Sequence, residues 1–185
     1  MKQLMFSLAL LASVSADAQE GQWFAQGGVG QQRTSFATTG ADIKTDASPT
    51  SKSISMGYVL SRNIAVVAGY RDFGTLRVYR DTGSSQFSAS MKGSAYTLGA
   101  VYSWGVTDRV TVEAAGGAYR WTTDIDAPQG AGKATVHGTK AYFGTGVSYA
   151  LTQQTSIGLQ WTRFKSADSD VADPDVFEAV VRYRF

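Results

Sequence analysis

The chain has 185 residues, of which 17% are charged and 12% are aromatic, and it carries 20 glycines and no cysteine. Soluble domains contain roughly 25% charged residues, so this composition disfavours an ordinary soluble domain, and the formal net charge of +2 does not favour a nucleic-acid partner. The lack of cysteine excludes disulfides and thiolate metal sites, and after residue 18 no stretch is apolar over the roughly eighteen residues that a transmembrane helix needs.

The first residues have the three parts of a secretory signal peptide. Lys2 provides a basic start, residues 4–14 are largely apolar, and Ala16-Asp17-Ala18 has the small-x-small pattern of a cleavage site. We therefore predict a signal peptide over residues 1–18, with cleavage after Ala16 as the alternative, and one domain over residues 19–185. A buried amino-terminal helix is the alternative interpretation of the same segment.

Eight segments alternate apolar and polar residues with the period of two that is typical of a β-strand. In chain order they cover residues 23–33, 52–60, 64–79, 91–104, 110–123, 140–151, 156–165 and 176–185. The fifth segment is ambiguous, because Tyr119 and Trp121 have the opposite parity to its first valines. A bulge at Gly116-Gly117 would reverse its faces, and the sequence leaves this assignment open.

The connections between these segments alternate in length. Four are long and polar (34–51, 80–90, 124–139 and 166–175), and three are short (61–63, 105–109 and 152–155). Long external loops, short periplasmic turns and two periplasmic chain ends are typical of outer-membrane barrels. We predict an all-β fold, an eight-stranded antiparallel up-and-down transmembrane β-barrel in the outer membrane. A soluble sandwich or a lipocalin-like barrel is the alternative.

Aromatic residues lie near the ends of the predicted strands. Membrane barrels carry aromatic girdles at both membrane interfaces, whereas the apolar face of a soluble sandwich should carry fewer Tyr and Trp residues. The predicted interface residues are Trp23, Tyr58, Tyr70, Trp104, Tyr149 and Trp161.

The last predicted strand ends on an aromatic residue. The large apolar residues of one face are Phe177, Val181, Tyr183 and Phe185, and the other face carries most of the charge. This alternation resembles the signal that outer-membrane barrels present to their insertion machinery. The resemblance implies the barrel-assembly machinery as a partner.

Several polar or charged residues have the parity of a side chain that faces the lumen: Arg71, Glu113, Lys140, Gln160, Glu178, Arg182 and Arg184. An unpaired ion in a narrow lumen is unfavourable, so we predict that Glu113 and Glu178 are paired. Their predicted partners are Arg71 and Arg182, whereas Arg184 is expected near the periplasmic mouth. Contact with lumen water is the alternative for several of these side chains.

Short motifs in the predicted order resemble the transmembrane domain of the OmpA-type family. They include Gly57-Tyr58, Phe73-Gly74, Val106-Thr107-Asp108, Leu159-Gln160-Trp161 and the final Arg182-Tyr183-Arg184-Phe185. The resemblance spans nearly the whole predicted mature chain. It implies an eight-stranded barrel in the outer membrane of a Gram-negative bacterium, with membrane lipids as partners.

The chain also departs from this family. At the positions that align with the charge cluster of the family's lumen, often treated as a gate, it has Val67, Val101, Ser148 and Gly158. We therefore expect that gate to be missing and a different polar interior to replace it. We also do not carry over the tethering role of the family's peptidoglycan-binding domain.

The predicted function is a structural or surface-interaction role through four external loops, with an external ligand at the loops and a monomeric barrel. A narrow channel for ions or small solutes is the alternative. The single histidine, His137, lies in the third predicted loop without a matching nucleophile and acid, so we expect no enzyme; a lipid-modifying enzyme is the second alternative. We expect no metal and no cofactor, and we interpret the acidic fourth loop as solvated, with a weak Ca²⁺ site as the alternative for Asp168, Asp170, Asp173 and Asp175.

Overall fold

The computed structural model describes residues 20–33, 43–46, 49–81, 86–126, 133–165 and 173–185. The predicted signal peptide lies outside these ranges, as do parts of the four long loops. Within them the chain forms nine β-strands: β1 (Trp23–Arg33), β2 (Ile43–Asp46), β3 (Thr50–Ser61), β4 (Ile64–Asp81), β5 (Gln86–Gly105), β6 (Val110–Asp126), β7 (Lys133–Ala150), β8 (Thr155–Phe164) and β9 (Asp175–Arg184).

Eight of the strands form a closed barrel in which all neighbouring strands are antiparallel. The wall closes because β1 pairs with β9, with Gly28 opposite Val180. This confirms the predicted eight-stranded up-and-down barrel. The short strand β2, which falls in the predicted first loop, is not part of the wall, because among the described residues it pairs only with residues 77–80 of β4.

The barrel has a turn end and a loop end. The turn end carries the connections at residues 62–63, 106–109 and 151–154. The ends of β1 and β9 also meet there, where the Phe185 amide donates a hydrogen bond to the Trp23 carbonyl (2.9 Å). The loop end carries the four long connections.

Side chains alternate between the outside of the wall and the lumen. Large apolar side chains lie on the outside, among them Ile54 and Leu159, each 64% exposed, and Leu98, 60% exposed. A wall that faces lipid requires such an apolar outer band, whereas the lumen can hold polar side chains. None of the described residues lies in a helix that is long and apolar enough to cross a membrane.

Strand β6 runs without a bulge. Its pairing with β5 and with β7 is continuous past Gly116 and Gly117, so the bulge considered for these glycines is wrong. Tyr119 and Trp121 share the parity of the buried Glu113 and face the lumen, where Tyr119 is only 5% exposed. The apolar residues of β6 move from the outer face to the lumen face along the strand, because the lumen near Tyr119 and Trp121 is lined by aromatic residues.

The wall strands differ in length. Strands β4 to β7 contain 17 to 20 residues, whereas β1, β3, β8 and β9 contain 10 to 12. A tilted strand of about nine to eleven residues crosses the hydrocarbon layer of a membrane. The four long strands therefore continue past the membrane at the loop end, and we call the part of β4–β7 beyond the ends of β3 and β8 the sheet extension.

The sheet extension corrects two predicted loops. Segments 80–90 and 124–139 were expected to be loops, but β4 and β5 continue to Asp81 and from Gln86, and β6 and β7 continue to Asp126 and from Lys133. Beyond the membrane both faces of a sheet are solvated, so the alternation of apolar and polar residues disappears there. The period-of-two signal then stops before the strand does.

The lumen contains two apolar clusters. The aromatic plug, near the loop end, is built on the buried Ala95, Tyr119, Phe164 and Val176, with Phe73, Trp121 and Tyr142 packed against them. The turn-end cluster consists of Phe24, Val59 and Ala65, with Val67 beside them. A polar layer lies between the two clusters.

The turn-end cluster packs closely because residue 57 is a glycine and has no side chain. A Cβ atom on Gly57 would overlap the ring of Phe24, which is 4% exposed and lies against the Arg182 guanidinium, 4.8 Å from the ring centroid. Because the ring is confined, we expect Gly57→Ala to lower the free energy of unfolding by about 1–3 kcal/mol. Urea unfolding of the refolded barrel, followed by tryptophan fluorescence, measures this change.

Gly27→Ala is the matched control for this substitution. Gly27 lies on the outer face of β1, and no atom lies within 4 Å of a Cβ built on it. Equal losses of stability in the two variants would show that the close contact with Phe24 is not what requires glycine at position 57.

Candidate functional site

The first ion pair of the polar layer joins Arg71 of β4 to Glu178 of β9 across the lumen. Both residues are buried, at 8% and 3% exposure. Ser53 Oγ donates a hydrogen bond to Glu178 Oε1 (2.8 Å), and Arg71 Nη1 donates one to Ser51 Oγ (3.2 Å). The two serines, both on β3, thus give each member of the pair one further hydrogen bond, while Arg71 Nε is buried without a hydrogen-bond partner among the described residues.

The second ion pair joins Arg182 of β9 to Glu113 of β6. Arg182 Nη2 donates to Glu113 Oε2 (2.9 Å), while Arg182 Nε and Nη2 donate to Gln26 Oε1 (3.0 and 2.7 Å). Gln160 Nε2 donates a hydrogen bond to Glu113 Oε2 (3.4 Å), and Gln160 Oε1 accepts one from Gln26 Nε2 (3.1 Å). Each buried charge therefore has both a counter-ion and neutral hydrogen-bond partners, as burial of a charge requires.

The structure thus brings together the four residues predicted for the lumen network, as two pairs. Gln160 belongs to the same network, but Lys140 is exposed beyond the end of β8 and takes no part in it. Sequence reasoning did not single out Gln26, Ser51 and Ser53. Inward parity is a signal that could have found Gln26 and Ser53, which lie in predicted strands, whereas Ser51 falls in the predicted first loop and joins β3 only in the structure.

The aromatic plug closes the lumen above this network. Phe164 is 1% exposed and contacts the rings of Phe73, Tyr119 and Tyr142 at centroid distances of 5.1, 4.9 and 5.8 Å. The Arg71 guanidinium lies 5.3 Å from the centroid of Phe164 on the other side. Sequence reasoning did not identify Phe164, because an aromatic residue with inward parity conflicts with the expectation of a polar lumen.

Two cavities interrupt the packing of the lumen. A small cavity of about 80 Å³ lies between the two ion pairs, and a larger one of about 300 Å³ opens at the turn end. Phe24, Val101 and Arg182 line both cavities, and the Phe24 ring packs against the Arg182 guanidinium at this height. Among the described residues, the aromatic plug fills the lumen toward the loop end.

The predicted interface aromatics face outward in two groups. Trp23, Tyr58, Trp104 and Tyr149 lie toward the turn end, and Tyr70 and Trp161 lie toward the loop end. Trp23 and Tyr58 pack against each other at 5.0 Å. In the turn below, the Arg109 side chain donates to Tyr149 Oη (3.3 Å), and this hydrogen bond raises the pKa of the Arg109 guanidinium.

The residues predicted as the assembly signal share the outer face of the last strand. Phe177, Val181, Tyr183 and Phe185 are 45–60% exposed, and the Tyr183 and Phe185 rings lie 5.5 Å apart. The residues between them, Glu178 and Arg182 among them, are buried in the lumen. One strand therefore supplies an apolar outer face and half of the ionic network.

The sheet extension ends in the four-residue strand β2 on one side and in β7 on the other. On the β4 side, β2 pairs with residues 77–80. On the β7 side, pairing with β8 stops at Tyr142 opposite Phe164. Within the described part of the chain, residues 133–140 therefore pair only with β6, and we call these residues the open edge.

The backbone groups of alternate residues point out of the open edge. The Ala141 carbonyl accepts a hydrogen bond from the Lys165 amide (3.0 Å) on the β8 side, and backbone groups alternate sides along a strand. The N–H and C=O groups of Thr135, His137 and Thr139 therefore point the same way, away from β6. These three residues are exposed, so His137 lies on an exposed strand rather than in the predicted loop.

The acidic residues near the fourth loop take part in ion pairs. Asp175 accepts two hydrogen bonds from Arg163, each 2.7 Å, and Asp173 accepts one from Lys165 (2.7 Å). Asp168 and Asp170 lie outside the described residues. In the described ranges, no three His, Cys, Asp or Glu side chains are grouped so that they could hold a metal ion.

Comparison with known proteins gives a family and several similar folds. The outer membrane protein β-barrel domain family matches residues 5–185, and no curated protein matches the sequence. Similar solved structures include OprG from Pseudomonas aeruginosa, with 15% identity, a TM-score of 0.70 and coverage of 92% of this chain and 98% of that one. Ail, the attachment invasion locus protein of Yersinia pestis, has 17% identity, a TM-score of 0.61 and coverage of 90% and 100%. Neisserial surface protein A has 19% identity, a TM-score of 0.55 and coverage of 90% and 100%; these likenesses concern the fold alone.

Proposed function

Because the chain belongs to the outer membrane protein β-barrel domain family, we propose that it is a surface-interaction barrel whose sheet extension binds an extended segment of another protein. In this proposal the turn end, with both ends of the wall, faces the periplasm, and the loop end faces the outside of the cell. Short periplasmic turns and long outer loops are the rule in such barrels. The apolar outer band lies in the lipid of the outer membrane.

The observation that carries this proposal is the open edge of β7. An edge strand presents unpaired N–H and C=O groups, and proteins usually cover or shorten such edges. Here the opposite edge of the sheet extension is the short strand β2, with four residues, whereas all of residues 133–140 have no second strand partner in the described ranges. An extended peptide could add to this edge as a further strand, which is a common mode of recognition.

The packing of the lumen supports a scaffold function over the alternative, a narrow channel. Two buried ion pairs and the aromatic plug occupy the space that a conducting path would need. In eight-stranded barrels the interior is commonly filled by side chains. The specificity of this protein would then reside at the loop end, outside the membrane.

The outer surface has two further roles in this proposal. The predicted interface aromatics, such as Trp23 and Trp161, anchor the barrel at the two membrane interfaces. The outer face of β9, from Phe177 to Phe185, is the part that the barrel-assembly machinery recognises. Neither role depends on the open edge.

A proline at the open edge tests the proposed recognition. The Thr139 N–H points away from β6, so Thr139→Pro removes an edge donor while it leaves the β6–β7 pairing intact. The probe is a phage-displayed library of random ten-residue peptides, selected on the barrel in lipid nanodiscs. We expect the selected peptides to alternate apolar and polar residues and to lose about tenfold in affinity for the proline variant.

Thr139→Ala is the matched control, because it removes the same side chain and keeps the backbone donor. We expect it to bind the selected peptides as the wild type does. Equal binding by the proline variant would contradict recognition at the open edge. Binding to nanodiscs but not to intact cells that carry the protein would contradict the proposed orientation.

A further inference from the structure

The turn-end cavity, which we call the vestibule, is a pocket rather than the entrance of a continuous pore. It has a volume of about 300 Å³ and is bordered by residues of the 62–63 and 106–109 turns. Phe24, Val59 and Ala65 form part of its lining and belong to the packed turn-end cluster. A volume of roughly 300 Å³ is the lower end of the range found for small-molecule sites.

Arg184 gives the vestibule an excess of positive charge. The lining contains Arg62, Arg182 and Arg184 but only one acid, Asp108. Glu113, deeper in the lumen, already neutralises Arg182. Arginines therefore outnumber acids in the lining.

The Arg184 guanidinium has no ion-pair partner within 4.0 Å among the residues that the structure describes. Arg184 is half-buried. Its guanidinium lies close enough to Arg182 and Glu113 to interact electrostatically with both. The repulsion from Arg182 is thus not removed by a carboxylate of its own. A half-buried cation in this situation gains from an anion that the protein does not supply.

The rest of the vestibule supplies hydrogen-bonding groups around Arg184. Ser61, Ser103, Thr107 and Thr111 bring hydroxyl groups to the lining, and the Asn63 side chain is held in place by a hydrogen bond from Nδ2 to the Ser103 carbonyl (2.7 Å). Hydroxyl groups can donate to an oxyanion, and an arginine fork binds carboxylate or phosphate through two parallel hydrogen bonds. The site therefore matches an oxyanion better than a spherical halide.

We propose that the vestibule binds the oxyanion group, carboxylate or phosphate, of a small solute on the turn-end side of the membrane, with Arg184 as its anchor. The apolar part of the lining, around Phe24, accommodates the carbon part of such a solute. This site is independent of the open edge, which lies at the other end of the barrel.

Titration of the refolded barrel in a non-ionic detergent tests this proposal, since the detergent contributes no phosphate. The probes are sodium phosphate, sodium acetate and sodium chloride at constant ionic strength, and the readouts are the thermal unfolding midpoint and calorimetric binding. We expect a saturable rise of the midpoint with phosphate or acetate, and at least about a tenfold weaker affinity in Arg184→Gln. Binding of phosphate alone assigns a phosphate ligand, and binding of acetate alone assigns a carboxylate ligand.

Arg120→Gln is the control variant, because Arg120 is exposed on the outer face of β6, away from the vestibule, and should keep the wild-type affinity. Equal effects of all three salts, or no effect of any, would overturn the proposal. If Arg184→Gln does not fold, the arginine Nε resonances of the ¹⁵N-labelled wild type show instead which arginine binds the anion. The Arg184 signal must shift on titration while the Arg120 signal stays, and the reverse would overturn the site.

Discussion

Replacing Glu178 with glutamine is expected to lower the free energy of unfolding by about 3–5 kcal/mol, the loss found when one partner of a buried ion pair is removed. Glu178 is 3% exposed and is the counter-ion of Arg71. In the variant the Arg71 charge stays in the lumen next to Phe164 without a counter-ion, and only neutral acceptors, the new glutamine oxygen and Ser51 Oγ, remain. Urea unfolding in lipid vesicles measures the change, and Glu20→Gln in the exposed segment before β1 should be nearly neutral.

The double variant Arg71→Met, Glu178→Gln tests whether the two charges act as a pair. With both charges removed, no uncompensated ion remains, so we expect a smaller loss than in Glu178→Gln alone. If the losses of the two single variants simply add in the double variant, the residues are not coupled. The ionic network would then be a set of separately solvated charges.

Phe164→Ala should lower the free energy of unfolding by a similar amount, for a different reason. The ring is 1% exposed and contacts three other aromatic rings, so truncation creates a cavity at the centre of the plug and costs about 3–5 kcal/mol. Phe143→Ala is the matched control, because Phe143 lies on the outer face and is 42% exposed. We expect a clearly smaller loss there, measured by the same urea unfolding.

The same variant separates the scaffold function from the channel alternative. Phe164 lines the small cavity, so its removal opens that cavity toward the loop end. The packed Phe24 ring and Arg182 guanidinium remain where this cavity adjoins the vestibule. We therefore expect no discrete openings in planar bilayers for the wild type or for Phe164→Ala, and stable openings of the folded wild type would favour the channel.

Local alternation was sufficient to find the wall strands, because lipid on one side imposes an apolar residue at every second position. The first predicted strand, residues 23–33, coincides with β1. Alternation did not identify strand residues in the sheet extension, beyond the part of the wall that faces lipid. At the outer end of β7, exposed strand residues such as Thr135 and His137 carry no alternation that marks them as strand.

Alternation also failed inside the barrel. Tyr119 and Trp121 suggested a change of face in β6, but the continuous register shows that the lumen itself holds an aromatic cluster. A single strand cannot reveal this cluster, since its members come from β4, β5, β6, β7 and β8 and from the start of β9. The exclusion of a pore by this plug is thus a property of the assembled barrel.

The sequence by itself determined the barrel and its faces, and it narrowed the buried charges to a few residues of inward parity. Only the tertiary structure decided that Arg71 meets Glu178 and that Arg182 meets Glu113. In both pairs the partners lie three strands apart around the wall, so closure and stagger of the barrel set their contact, and no local pattern encodes that geometry. The open edge of β7 and the vestibule have the same origin, because each is defined by where neighbouring strands end rather than by the residues of one strand.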